Sequence, residues 1–143
     1  MAPQKVSSVL CINDSDITLF VLKRLLSTSN FAENVTEKKD GRQALNYCRQ
    51  FIGRDDYVDY PKVIFLDLHM PVMDGWEFLE TFSSEIWPFF KETKVVITSQ
   101  SVNNDDCTNA SKYPFVFDFV KKPISLDYLI NLHESLMEGF SVR

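Results

Sequence analysis

Four consecutive apolar residues, Val63-Ile64-Phe65-Leu66, are stopped by a carboxylate, Asp67, and this run constrains the chain more than any other feature. An apolar stretch without polar alternation has no face to give to water, so it fits a central strand of a parallel sheet covered on both sides. Short runs rich in strand formers recur at Val9-Leu10-Cys11-Ile12, Lys94-Val95-Val96-Ile97-Thr98-Ser99 and Phe115 to Val120, with a weaker one within Asn34 to Lys38. Helical periodicities lie between them. After the turn residues Asn13-Asp14-Ser15-Asp16, the apolar residues Ile17, Phe20, Val21 and Leu25 recur at three- and four-residue spacing, which predicts a helix over about 17–28 capped by Ser15 or Asp16. An Asp40-Gly41 turn precedes a second apolar face of Ala44, Leu45, Cys48, Phe51 and Ile52 that Gly53 can close. A polar loop over 54–61 leads to the strand that Asp67 ends. The loop from Leu68 to Gly75 opens a helix near Trp76, with Phe78, Leu79 and Phe82 inward. Residues 103–112 read as a polar fourth helix. Pro123 breaks the last strand, and Ser125 caps a final helix with apolar positions Leu126, Leu129, Ile130, Leu132 and Met137.

Five strands alternating with five helices predict an α/β fold: a doubly wound parallel sheet with helices on both faces, joined by right-handed crossovers. In such sheets the chemistry sits at the carboxyl ends of the strands. The 143 residues suit one domain, and a 45% hydrophobic composition can fill its core. Twenty acidic against 15 basic residues argue against direct binding to nucleic acid, which needs clustered Lys and Arg. The opening MAPQKVSSVL lacks the apolar core of a signal peptide, and no run approaches a bilayer span, so the expected setting is cytoplasmic, with no membrane partner. Cys11, Cys48 and Cys107 are widely spaced with no C-x-x-C pair and read as reduced packing residues. The four glycines are isolated, which excludes a nucleotide phosphate cradle.

The residues that end the strands are Asn13 and Asp14, then Asp67, then Thr98 and Ser99, then Lys122. Topology brings them to one edge of the sheet. Two carboxylates with a nearby carbonyl suit a hard cation such as Mg2+, which keeps several of its waters. A lysine and a hydroxyl beside them can pair with phosphoryl oxygens, and a carboxylate oxygen can itself be the nucleophile of an aspartyl phosphate.

Asn13-Asp14, Asp67-Leu68-His69-Met70-Pro71 with Asp74-Gly75, Thr98-Ser99 and Lys122-Pro123, in that order and on those elements, resemble the receiver domain of two-component response regulators. The resemblance covers about residues 7–138. It implies a flavodoxin-like (βα)5 fold with strand order 2-1-3-4-5, and a single receiver domain over 1–143 with no room for a fused output module. It also implies a site. The phosphoacceptor falls on Asp67 and the metal-binding acid pair on Asn13 and Asp14. The carbonyl that also binds the metal falls on His69, the switch hydroxyl on Thr98, the phosphate-pairing lysine on Lys122 and the switch aromatic on Phe119. The side chains of His69 and Gln100 fall where the family tunes phosphoryl lifetime. The implied cofactor is Mg2+. The implied partners are a histidine kinase or phosphotransfer protein, a downstream effector, and a second copy through the face of helix four, strand five and helix five. Any catalysis would be confined to the domain's own phosphorylation and dephosphorylation.

Two positions depart from the family pattern. Asn13 stands where an acid is usual, at a position that reaches the metal through water, so one negative charge is lost and Mg2+ binding should weaken. Phe119 lacks the hydroxyl of the commoner Tyr and must report its state by packing alone. Asn13 also motivates a rival expectation, a receiver-like binding module that no longer cycles phosphate. A phosphohydrolase with an aspartyl nucleophile would need a second Asp two residues after Asp67, where His69 stands. The aromatic segment 83–94 reads either as a partner-facing feature or as extra core.

Overall fold

The computed structural model describes residues 4–53 and 60–141. Five parallel strands, β1 (Val6–Ile12), β2 (Ala32–Lys38), β3 (Val63–Asp67), β4 (Lys94–Ser99) and β5 (Val116–Lys121), stand in the order β2-β1-β3-β4-β5. The connecting helices are α1 (Asp16–Thr28), α2 (Gly41–Arg49), α3 (Gly75–Thr81), α4 (Asn104–Ala110) and α5 (Leu126–Ser141). The fold expected from the strand runs and from the family resemblance is the one observed. Of the polar loop read over 54–61, only Tyr60 and Pro61 fall within the described residues.

Side-chain alternation along the strands builds two cores. Leu10 and Ile12 of β1, Ile64 and Leu66 of β3, and Val95 and Ile97 of β4 face α2 and α3, where Leu45, Phe78, Leu79 and Phe82 meet them. Val9, Cys11, Val63, Phe65 and Val96 face the other way, against Leu22 and Leu26 of α1 and Leu129, Leu132 and Leu136 of α5. Both faces of β3 are therefore dry, which is why its sequence shows no polar alternation.

Each of the five α-helices starts on a capping side chain of the kind the turn residues promised. Ser15 accepts from the Thr18 N–H, and Ser125 from the Tyr128 N–H. Asp40 is the N-cap of α2 rather than only part of a turn, and Asn103 caps α4. Asp74 and Glu77 form a reciprocal capping box at α3, visible in the sequence as D-x-x-E. Gly53 has φ of 82°, the left-handed conformation that suits it to the end of the second helical segment.

The outer faces differ from the sequence reading at two helices. In α1 the buried residues are Leu19, Leu22 and Leu26, while Ile17, Phe20 and Val21 are 77%, 63% and 47% exposed. At 3.6 residues per turn these two sets lie on opposite sides, so α1 is apolar on both, and of the stripe that signalled the helix only Leu25 packs against the core. In α5, Ile130 is exposed and Leu136, which the sequence reading did not include, is buried.

Segment 83–94 is divided between the two readings: Ile86, Phe90 and Thr93 are buried, while half of its residues are exposed. After α3 the chain makes a π-helical turn over Phe82–Ile86 that delivers Phe82, Ile86 and Phe90 to the interior, leaving Phe89 exposed. Phe90 stacks on Tyr60 at 4.4 Å between ring centroids and meets the edges of Phe51 and Phe82.

Candidate functional site

The carboxyl edge of the sheet gathers the residues singled out in the sequence. Asp67 is the last residue of β3 and only 2% exposed, although a carboxylate is rarely buried without a partner. Its Cα is in register with Thr98 on β4, which in turn pairs with Val120 on β5. Lys122, one residue past β5, is fixed by its N–H donating to the Ser99 carbonyl at 2.8 Å. From there its ammonium nitrogen reaches Asp67 Oδ1 at 2.7 Å. The ammonium is close enough to compensate the buried charge but is not aligned as a hydrogen-bond donor to Oδ1, so this buried oxygen keeps acceptor capacity.

Thr98 is also buried, and its hydroxyl donates to the Leu66 carbonyl at 3.4 Å. That is a long contact, readily exchanged for a better acceptor. Phe119 is half-buried on β5, in register with Ile97, and packs on the core shared by β3, β4 and α3.

Glycines hold the loop after Asp67 in place. The Gly75 N–H donates to the Leu68 carbonyl at 2.8 Å, and a Cβ at Gly75 would lie 2.7 Å from the Leu68 Cα and 2.9 Å from the Asp67 carbonyl oxygen. Only glycine lets α3 begin so close to the end of β3. On the other side, the Gly41 N–H donates to the Met73 carbonyl at 3.2 Å, which ties the loop to the start of α2. Between these anchors Val72 has φ of 66°, with the Met73 N–H bonded to the Pro71 carbonyl across it. A β-branched residue in the left-handed region is strained. His69 and Gln100 are both exposed at this edge, and Leu68 between Asp67 and His69 is buried.

Asn13 and Asp14 follow β1. Asn13 is buried, and its Oδ1 accepts the Ser15 N–H at 2.9 Å, while Asp14 is exposed. Among the described residues no three His, Cys, Asp or Glu side chains come together as a metal cluster. The donor set is two carboxylates, Asp14 and Asp67, with an oxygen of Asp67 still open to a further partner. It fits a hard cation that keeps most of its water, and it does not fit one that needs a full protein cage.

A cavity of about 200 Å³ opens beside this cluster, walled by Ile17, Val21 and Leu25 of α1 and by Ile124, with Asn13, Thr98 and Lys122 along one side. The outward apolar stripe of α1 thus borders the polar cluster, an adjacency that the sequence reading missed. The signal was present as two interleaved apolar periodicities in one helix.

Cys11 and Cys48 are buried and free, and burial pushes the Cys48 thiol up to about 12. On β5 and α5, the Tyr128 hydroxyl donates to Asp118 at 2.6 Å, and burial together with this bond raises its pKa. Among the described residues no helix is long and apolar enough to cross a membrane.

Comparison with known proteins places these features in company. The family model described as the response regulator receiver domain matches residues 9–134. The crystal structure of a two-component response regulator from Cytophaga hutchinsonii superposes with a TM-score of 0.84 at 26% identity, covering 94% of this chain and 99% of that one. The phosphorylated cyanobacterial phytochrome response regulator RcpA superposes with a TM-score of 0.70 at 27% identity, covering 93% and 92%. A protein-glutamate methylesterase/protein-glutamine glutaminase of Bacillus subtilis is 29% identical over 133 residues, 91% of this chain but only 34% of that protein.

Proposed function

The chain belongs to the response regulator receiver domain family of two-component signalling, and on that premise we propose that Asp67 accepts a phosphoryl group from a phosphohistidine. The observation that carries this reading is the buried Asp67 carboxylate with the Lys122 ammonium 2.7 Å away and the Thr98 hydroxyl on the neighbouring strand. A structural ion pair would account for the first two. It would not account for a buried oxygen with acceptor capacity left, at a strand end against which two glycines hold the following loop.

In the transfer, an Asp67 oxygen forms a bond to phosphorus as the P–N bond of the donor breaks. The electron pair stays on the imidazole nitrogen, which takes up a proton from water. Lys122 then leaves Asp67 for a phosphoryl oxygen, and Thr98 exchanges its long bond to Leu66 for another. A divalent cation such as Mg2+ would be held by Asp14, Asp67 and the His69 carbonyl, and would supply charge neutralisation to the phosphoryl oxygens.

The movement of Thr98 frees space beside Phe119, whose ring reports the change on the surface of α4, β5 and α5 by packing. Effector binding, or pairing with a second copy, follows from that surface. The side chains of His69 and Gln100, exposed at the mouth, set how readily water reaches the acyl phosphate. The phosphohistidine partner docks on the exposed stripe of Ile17, Phe20 and Val21, which borders the cavity beside the site.

Transfer from a radiolabelled phosphohistidine protein tests the reading. Label that moves to this chain and is discharged by hydroxylamine supports it. Label that still moves to the Asp67→Asn variant overturns it.

A further inference from the structure

The side-chain oxygen of Asn13 is committed to the start of α1. Ser15 N–H can only donate, so the Asn13 atom 2.9 Å from it must be the oxygen, which settles which end of the amide is which. Ser15 in turn caps α1 through the Thr18 N–H, so the Asn13 rotamer is held by the helix start. The other end of the amide carries two N–H donors and makes no hydrogen bond among the described residues. Asn13 is 6% exposed and lines the same cavity as Thr98 and Lys122.

We infer that Asn13 presents its amide N–H group to the site as a third donor for the phosphoryl oxygens, beside Thr98 and Lys122. This rests on the phosphoryl-acceptor reading and deepens it. A carboxylate here would repel the same oxygens and attract a cation. With Asn13, the formal charge of Asp14, Asp67 and Lys122 is −1, where a third acid would make it −2. The site is therefore biased toward holding an anion directly and away from holding a cation tightly. The competing account is that Asn13 only caps the helix.

Asn13→Asp separates the two, because an Asp oxygen accepts the Ser15 N–H equally well and the helix start is kept. Calorimetric titration with Mg2+ alone is expected to show about tenfold tighter binding to Asn13→Asp than to the natural chain. Beryllofluoride, an analogue of the acyl phosphate, is expected to bind the natural chain at Mg2+ concentrations at which Asn13→Asp and Asn13→Ala still bind it poorly. Equal Mg2+ dissociation constants for Asn13→Asp and the natural chain, or analogue binding unchanged in both variants, overturn the inference. The Mg2+ titration needs no phosphoryl transfer, so a chain that takes no phosphoryl group defeats the functional reading while leaving the role of Asn13 decided by its own measurement.

Discussion

Lys122 and Asp67 form an ion pair across the carboxyl edge of the sheet, 2.7 Å between ammonium nitrogen and carboxylate oxygen, with the carboxylate side chain 2% and the lysine side chain 24% exposed. Removing one member leaves a charge in a poor solvent, whereas removing both removes the problem. Lys122→Ala is expected to cost about 2–4 kcal/mol in urea unfolding, with much of that recovered in Lys122→Ala combined with Asp67→Asn. Additive losses would mean that the pair is electrostatically idle.

The glycine after the capping aspartate should be irreplaceable. Gly75→Ala places a Cβ against backbone atoms of Leu68 and Asp67, which cannot swing away as a side chain would. A loss of roughly 2 kcal/mol or more is expected, together with loss of phosphoryl acceptance because Asp67 is displaced. Gly41→Ala meets the flexible end of Met73 as well as its carbonyl and should cost less.

Strain at Val72 predicts the opposite sign. Val72 is 65% exposed, so its side chain contributes little burial, yet its φ of 66° suits glycine. Val72→Gly is expected to raise stability by about 1 kcal/mol in the same unfolding assay. A clear loss of stability would show that the side chain holds the loop.

The outward stripe of α1 separates function from folding. Phe20→Gln should change stability by no more than about 0.5 kcal/mol, because an exposed ring is replaced by a good helix former. Phosphoryl transfer from a partner protein should fall about tenfold, the equivalent of about 1.4 kcal/mol of lost contact, while transfer from a small phosphodonor is unchanged. Equal losses with both donors would place Phe20 in the site itself and not in docking.

The buried thiols give a pH signature. The native Cys48 pKa is raised from 9.0 to about 12 by burial, so above pH 9 the unfolded chain gives up a proton that the native chain retains. Its contribution is therefore fully present below pH 9 and is lost as pH climbs toward 12, at no more than about 1.4 kcal/mol per pH unit. Cys11 is shifted in the same direction for the same cause. Unfolding midpoints measured from pH 8 to 11 should fall, and the fall should flatten in Cys48→Ala.

The sheet was legible because a strand buried on both faces leaves an unmistakable run, as at Val63 to Leu66, and the edge residues were legible because each ends such a run. The inner face of α1 was not. Phe20 and Val21 stand three and four residues from Ile17, and Leu19, Leu22 and Leu26 are likewise separated by three and four, so periodicity alone does not say which stripe meets the sheet. The commitment of the Asn13 oxygen to Ser15 was hidden for a different reason, since amide orientation depends on a backbone N–H placed by the helix start. Beyond Phe82, the inward residues Ile86 and Phe90 follow at four-residue intervals, a periodicity that the sequence reading did not carry past α3.

The central claim is that Asp67 is a phosphoacceptor, and intact-mass measurement after incubation with Mg2+ and a small phosphodonor tests it most directly. The account predicts the added mass of one phosphoryl group on the natural chain and none on Asp67→Asn. No added mass on the natural chain, or added mass that survives Asp67→Asn, would contradict it.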